Sequence, residues 1–192
     1  MSMDPSELEF LAEKETVTVI PNFAHGKLCL IRGDVGPFTP SIPVQVPLWM
    51  AVNLRQRQKC RILPPDWLCV EKLEEIKQEE MDSAFFTPMP SEHYKEITRL
   101  LFDVAVPDIP NADEIQTLIK DIWDIRMAKL RSSVDTFIKS GESHAQVDNL
   151  TVFEINFVRP LLTTALYQLQ KFKRAAASAS QNDSQSQSGS FL

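Results

Sequence analysis

Proline placement constrains this 192-residue chain more than any other feature. Twelve of its 13 prolines lie at or before Pro110, and Pro160 alone lies beyond. Proline lacks a backbone donor and clashes with the preceding turn, so it breaks helix interiors. Residues 111–159 are therefore free to run as long helix, while the earlier, proline-punctuated chain is held to short elements. Thr16 to Ile20 is β-branched throughout and stops at Pro21, which reads as a strand and a turn. Leu28 to Ile31 reads as a second strand, ended at Gly33 and Asp34. Val44 to Val46 and Cys60 to Leu63 read as two more. Strands this short need each other and a covering helix. The sequence offers one at 47–58, with Pro47 at the first helical position and Leu48, Ala51 and Val52 as its apolar face. Residues 6–14 supply one or two further turns, with Ser6 as cap and Leu8, Phe10 and Leu11 as anchors.

The remainder reads as helix. Asp66 caps a helix from Trp67 to Glu80 that turns Trp67, Val70, Leu73 and Ile76 inward. A linker at 85–90 leads to a Ser91-capped helix bearing Tyr94, Ile97, Leu101 and Val104, ended by Pro107 and Pro110. Asn111 to Gly141 is the clearest element, with acids in its first turn and glycine at its end. At 1.5 Å per residue it is a rod of roughly 45 Å. A last helix starts near Asp148, with Thr151 and Glu154 as an alternative capping box, and Pro160 kinks or interrupts it. The fold class is thus α+β, with a small strand-rich domain over 1–62 and a helical domain over 63–174. A Ser- and Gln-rich tail follows over 175–192, with too few large hydrophobes to order itself.

The long helix raises a question of partners. At 100° per residue, Ile115, Leu118, Ile122, Trp123, Leu130, Val134 and Phe137 help cover an apolar arc of roughly 180°. A surface helix usually shows a stripe nearer about 100°. Either a monomeric bundle buries the whole arc, or one face of it belongs to another chain. Arg126 projects near the middle of the arc. A buried guanidinium needs a carboxylate, since an unpaired buried charge costs about 3–5 kcal/mol, and that carboxylate could sit on a neighbouring subunit.

Catalytic chemistry is not legible. Gly33 to Gly36 lacks the strand–helix context and the lysine of a phosphate loop and reads as a turn. His25, His93 and His144 are far apart and in no metal-binding spacing, so neither a metal nor a cofactor is expected. Cys29, Cys60 and Cys69 are an odd, unpaired set, which suits reduced intracellular thiols. The start of the chain is acidic and lacks a signal peptide's pattern, and no apolar run approaches the roughly 20 residues of a membrane span. Arg55, Arg57, Lys59 and Arg61 form the one basic run. If extended, they share a four-charge edge that suits phosphate or an acidic partner; if helical, they splay apart. The net charge of −6 favours a protein partner over nucleic acid.

A further observation concerns resemblance. The stretch from Val46 to Trp67 (VPLWMAVNLRQRQKCRILPPDW) closely resembles the signature of the subunit-2 family of the GINS complex, a eukaryotic DNA replication factor. The likeness extends to residues 9–14, 20–23, 33–38, 86–90, 112–115, 120–126, 128–131 and 148–155. It implies a non-catalytic scaffold in a heterotetramer with three paralogous subunits, a strand-rich domain preceding a helical one, and a nuclear location. It further implies assembly with the MCM helicase ring and a RecJ-like cofactor, a tethered replicative polymerase, and indirect or weak DNA contact. On this reading Ile115, Leu118, Ile122, Trp123, Arg126, Leu130, Val134 and Phe137 are candidates for the subunit interface. Arg55, Arg57, Lys59 and Arg61 are candidates for a helicase-facing edge. The competing class is a direct DNA-binding module using that same edge.

Overall fold

The β-branched run folds as strand β1 (Thr16–Pro21) in the structure, a computed structural model that describes residues 3–31, 33–140, 148–160, 162–164, 166–168 and 171. Alternation buries Val17 and Val19 on one face, as a strand with one covered side requires. Ahead of it lies α1 (Pro5–Ala12). After it come β2 (Leu28–Leu30), β3 (Gly33–Val35), β4 (Val44–Pro47), α2 (Leu48–Gln56) and β5 (Cys60–Leu63). The first sheet has the order β4-β1-β5, all antiparallel, with Val17 opposite Val46 and Val19 opposite Ile62. A separate hairpin pairs β2 with β3.

The helical part follows: α3 (Val70–Asp82), α4 (Tyr94–Ala105), a 3-10 turn (Val106–Asp108) and α5 (Ala112–Ser140). Residues 152–160, labelled α6, are helical as well. The 29 residues of α5 span about 44 Å at 1.5 Å each. One buried cluster runs without a break from Val17, Val46 and Leu48 through Tyr94 and Leu101 to Ile115 and Ile122. A second gathers Phe86, Met127, Leu130, Val134 and Val158 around the far half of α5.

Several sequence expectations are corrected in detail. Asp4, not Ser6, precedes α1, and its N–H donates to the Glu7 carboxylate at 3.0 Å; Phe10 is exposed rather than an anchor. Gly33 to Gly36 is not merely a turn, because Gly33 to Val35 pair with β2. Gly36 is needed there: its φ is +99° and an added Cβ would meet the Phe38 ring at 3.1 Å. Pro47 ends β4 instead of opening α2. The first free amides of α2, Leu48 and Trp49, donate to the carbonyls of Glu15 and Glu13 at 2.8 and 3.1 Å, which satisfies an otherwise unpaired helix start. The helix expected from Trp67 begins at Val70, because Leu68 closes a turn onto the Pro65 carbonyl at 2.8 Å. Ser91 accepts from the His93 N–H at 3.1 Å, and α4 starts after that turn.

Of the two caps weighed for the last helix, the Thr151–Glu154 box forms: Thr151 N–H donates to Glu154 Oε2 at 2.8 Å and Glu154 N–H to Thr151 Oγ1 at 3.4 Å. Gly141, His144, the side chain of Phe137 and the tail over 175–192 lie outside the described residues.

Candidate interaction site

Arg126 occupies the point on α5 where α3, α6 and the linker before α4 converge. Its side chain is fully buried, as are the carboxylates of Glu80 and Glu154. Nε donates to Glu154 Oε1 at 2.6 Å and Nη2 to Glu154 Oε2 at 2.9 Å, a two-pronged contact that holds α6 against α5. Nη1 donates to Glu80 Oε2 at 2.8 Å and to the Thr87 carbonyl at 3.0 Å. Nη2 also reaches the Asn149 carbonyl at 2.8 Å. All five N–H donors of the guanidinium are therefore used.

Glu80 Oε2 also accepts from the Thr87 amide at 3.1 Å and from the Thr87 hydroxyl, while Lys129 Nζ holds the other oxygen, Oε1, at 2.8 Å. Burial alone would raise the Glu80 carboxyl. Its bonds from Lys129 and Thr87, with the Arg126 charge, outweigh burial and hold it below the usual carboxylate range. Two cations and two anions balance inside the bundle, the condition under which buried charge is tolerated.

The carboxylate that Arg126 needs, for which a neighbouring subunit was one possible source, is thus present in the chain itself, twice. The sequence treated Glu80 only as the end of a helix. A signal was available, since Glu80 lies seven residues after Leu73 on the inward stripe of α3. The other arc residues are also covered by this chain: Ile115, Leu118, Ile122, Leu130 and Val134 are buried in the two clusters. Trp123 is only half-buried and makes edge contacts to Phe153 at 5.2 Å and Phe157 at 6.1 Å between ring centroids. Lys95 Nζ lies 3.1 Å from the Trp123 ring centroid. Burial there draws the Lys95 pKa down. Phe157 of this cluster is exposed, as are Ile155 elsewhere on α6 and Leu166 and Tyr167 beyond it.

The basic run does not form a shared edge. Arg55 belongs to α2, Arg57 caps it, and Gln58 turns through a φ of +56° before β5. Arg55 Nε lies 2.9 Å from Asp108 Oδ2, off the line of its N–H, and Nη2 donates to Oδ1 at 3.4 Å. Arg61 Nε stands 3.5 Å from the same carboxylate, and the Ile62 amide donates to it at 3.1 Å. Arg55 and Arg61 thereby tie α2 and β5 to the turn before α5, leaving Arg57 and Lys59 toward solvent. The continuous four-charge edge required for tracking phosphates is not formed. His25 is exposed and His93 half-buried. Among the described residues no three His, Cys, Asp or Glu side chains converge as a metal-binding set, and no helix is long and apolar enough to cross a membrane.

This architecture defines a class: a strand-rich unit built onto a helical bundle, with its charged centre committed to internal packing and several large apolar side chains left outside. Residues 4–63 match the family model described as the PSF2 N-terminal domain, and residues 67–173 match the GINS complex protein helical bundle domain. The chain is 57% identical over 171 residues to the DNA replication complex GINS protein PSF2 of Homo sapiens, covering 89% of this chain and 92% of that one. It is 56% identical over 183 residues to the protein of that name from Xenopus laevis, with 95% and 99% covered. It is 50% identical over 189 residues to a probable DNA replication complex GINS protein PSF2 of Drosophila melanogaster, with 98% and 93% covered. The chain belongs to the PSF2 family of GINS subunits. It is a non-catalytic component of a DNA replication complex.

Proposed function

We propose that this chain is one of four paralogous subunits of a GINS heterotetramer. In this reading it acts in the nucleus as a scaffold that joins the MCM ring and a RecJ-like cofactor and helps tether a replicative polymerase. The chain divides its work near residues 62 and 63, the helical part assembling with sister subunits and the strand-rich part facing the helicase. One observation supports the assembly role above others. Once the bundle has closed its own core, Phe157 remains exposed against half-buried Trp123, and Ile155, Leu166 and Tyr167 stay exposed as well, apolar surface of the kind that marks interaction sites. Within this reading Trp123 borders the subunit interface, while Arg126 and the buried arc residues support it from beneath.

The test is expression of the chain alone and with its three sister subunits, followed by size exclusion with light scattering. A stoichiometric complex with one copy of each, weakened by Phe157→Asp, is the expected result. A well-behaved monomer that ignores those partners would sink the scaffold reading.

A further inference from the structure

Trp49, Asn53 and Arg57 recur every four residues and so form a row along α2, with Arg57 at its C-terminal cap. The row is distinct from the Leu48 and Ala51 face that α2 buries in the core. Opposite it stand Phe23 and Phe38, stacked with ring centroids 5.4 Å apart, and Leu28 of β2. The two walls enclose a groove of about 310 Å³, at the lower end of the ~300–1,000 Å³ of sites that take small ligands.

Two features of the groove are unsatisfied by the chain. Trp49 is 38% exposed, although it is the largest apolar side chain on α2. Arg57 differs from Arg55 and Arg61 in that no ion pair engages it among the described residues. No carboxylate lines the groove among those residues, and the nearby hairpin contributes a neutral pair, Lys27 with Asp34 at 2.7 Å. The groove is therefore apolar along its length and positive at one end.

We propose that the groove between α2 and the β2–β3 hairpin docks an extended, acidic segment of a partner protein. One bulky apolar side chain of that segment enters between Trp49 and Phe23, whose ring is backed by buried Phe38, and a carboxylate beside it meets the Arg57 guanidinium. Aromatic walls supply the desolvated anchor that dominates such contacts. The planar guanidinium supplies a two-pronged carboxylate contact that fixes register. A basic segment is rejected, because nothing in the groove compensates a second cation. The inference goes beyond the scaffold reading and does not depend on the tetramer.

The test uses the full chain, alone and in the complex formed by co-expression, with fluorescein-labelled peptides read by anisotropy. The probe set has about ten residues, glutamates on both flanks, and tryptophan, phenylalanine or leucine at the centre. Controls replace the flanking glutamates by glutamines or the central residue by alanine. At least one glutamate peptide is expected to bind chain and complex alike, more weakly as salt rises. Arg57→Glu, Trp49→Ala and either control should each weaken it about tenfold or more. Arg57 is exposed, so Arg57→Glu should melt like the parent and separates loss of docking from loss of fold.

Equal binding of glutamate and glutamine peptides, full binding to Arg57→Glu, or no binding across the set would overturn the proposal. Binding to the chain but not to the complex would overturn it too, by making the groove an internal contact of the assembly. Failure to form the complex would refute the scaffold reading and leave the groove result standing by itself.

Discussion

At the scale of single residues, Arg126 shows how one charge can close a bundle. Its five bonds reach two carboxylates and two backbone carbonyls, from segments that are far apart in sequence. Arg126→Ala would leave Glu154 buried without its cation, and Glu80 with Lys129 alone. A loss of about 3–5 kcal/mol is expected, measured by urea denaturation of the folded chain. The pH dependence has a definite sign. Because Glu80 titrates below the ordinary 4.5 in the fold, its contribution is complete above that value and is lost as pH falls through the folded one. Stability should therefore decline below about pH 4.5, and decline less steeply in Arg126→Ala, where one of the charges that depress Glu80 is gone. An acid profile unchanged by the substitution would refute that assignment. The sequence announced that Arg126 is buried, because its angular position on α5 is local information. That Glu80 faces inward was legible from its place on the α3 stripe, but its pairing with Arg126, like that of Glu154, was not, since sequence separations of 46 and 28 residues are bridged only by tertiary packing.

At the scale of elements, periodicity located the helices and proline limited them, yet their first residues moved. A helix starts where its free amides find acceptors, and for α2 those acceptors are the Glu13 and Glu15 carbonyls in the turn between α1 and β1. Nothing near Leu48 in the sequence reports that. β3 was missed for a related reason: Gly33 and Asp34 have no strand propensity, and pairing with β2 supplies what the residues lack. The basic run illustrates the same limit. Its alternation suggested an edge, whereas Asp108 draws Arg55 and Arg61 to itself, and Pro107 gave no hint that the turn it occupies would be the anchor. Asp108→Ala should accordingly loosen β5 from the 3-10 turn. The Ile62 amide, bonded to that carboxylate at 3.1 Å, should lose protection from hydrogen exchange by about tenfold or more, given the ~1.5–3 kcal/mol assigned to bonds with charged groups. Amides in the far half of α5 should be unaffected. Uniform loss across the chain would mean that Asp108 supports global stability and not this junction.

At the scale of the whole molecule, a topological division and a packing division do not coincide. The chain changes from strands to helices after β5, and the two family models meet between residues 63 and 67. The buried core ignores that line. Val17, Val46, Leu48 and Ile62 share one cluster with Tyr94, Leu101, Ile115 and Ile122, and both α1 and α2 lie against α4. A separate domain of about 60 residues would be marginal even with a core of its own, and this one borrows α4 to cover its helices. Residues 1–64 expressed alone should therefore lack fixed structure, giving a narrow amide proton spectrum and no cooperative melt, while the full chain melts with the strands included. Well-dispersed signals from that fragment would show that the strand-rich part closes its own core. Shared packing has a consequence for a scaffold: surfaces on the two parts are held at a fixed angle, so a partner bound at one is positioned relative to a partner bound at the other. An independently folding first domain would instead hang on residues 64–69 and transmit no such geometry.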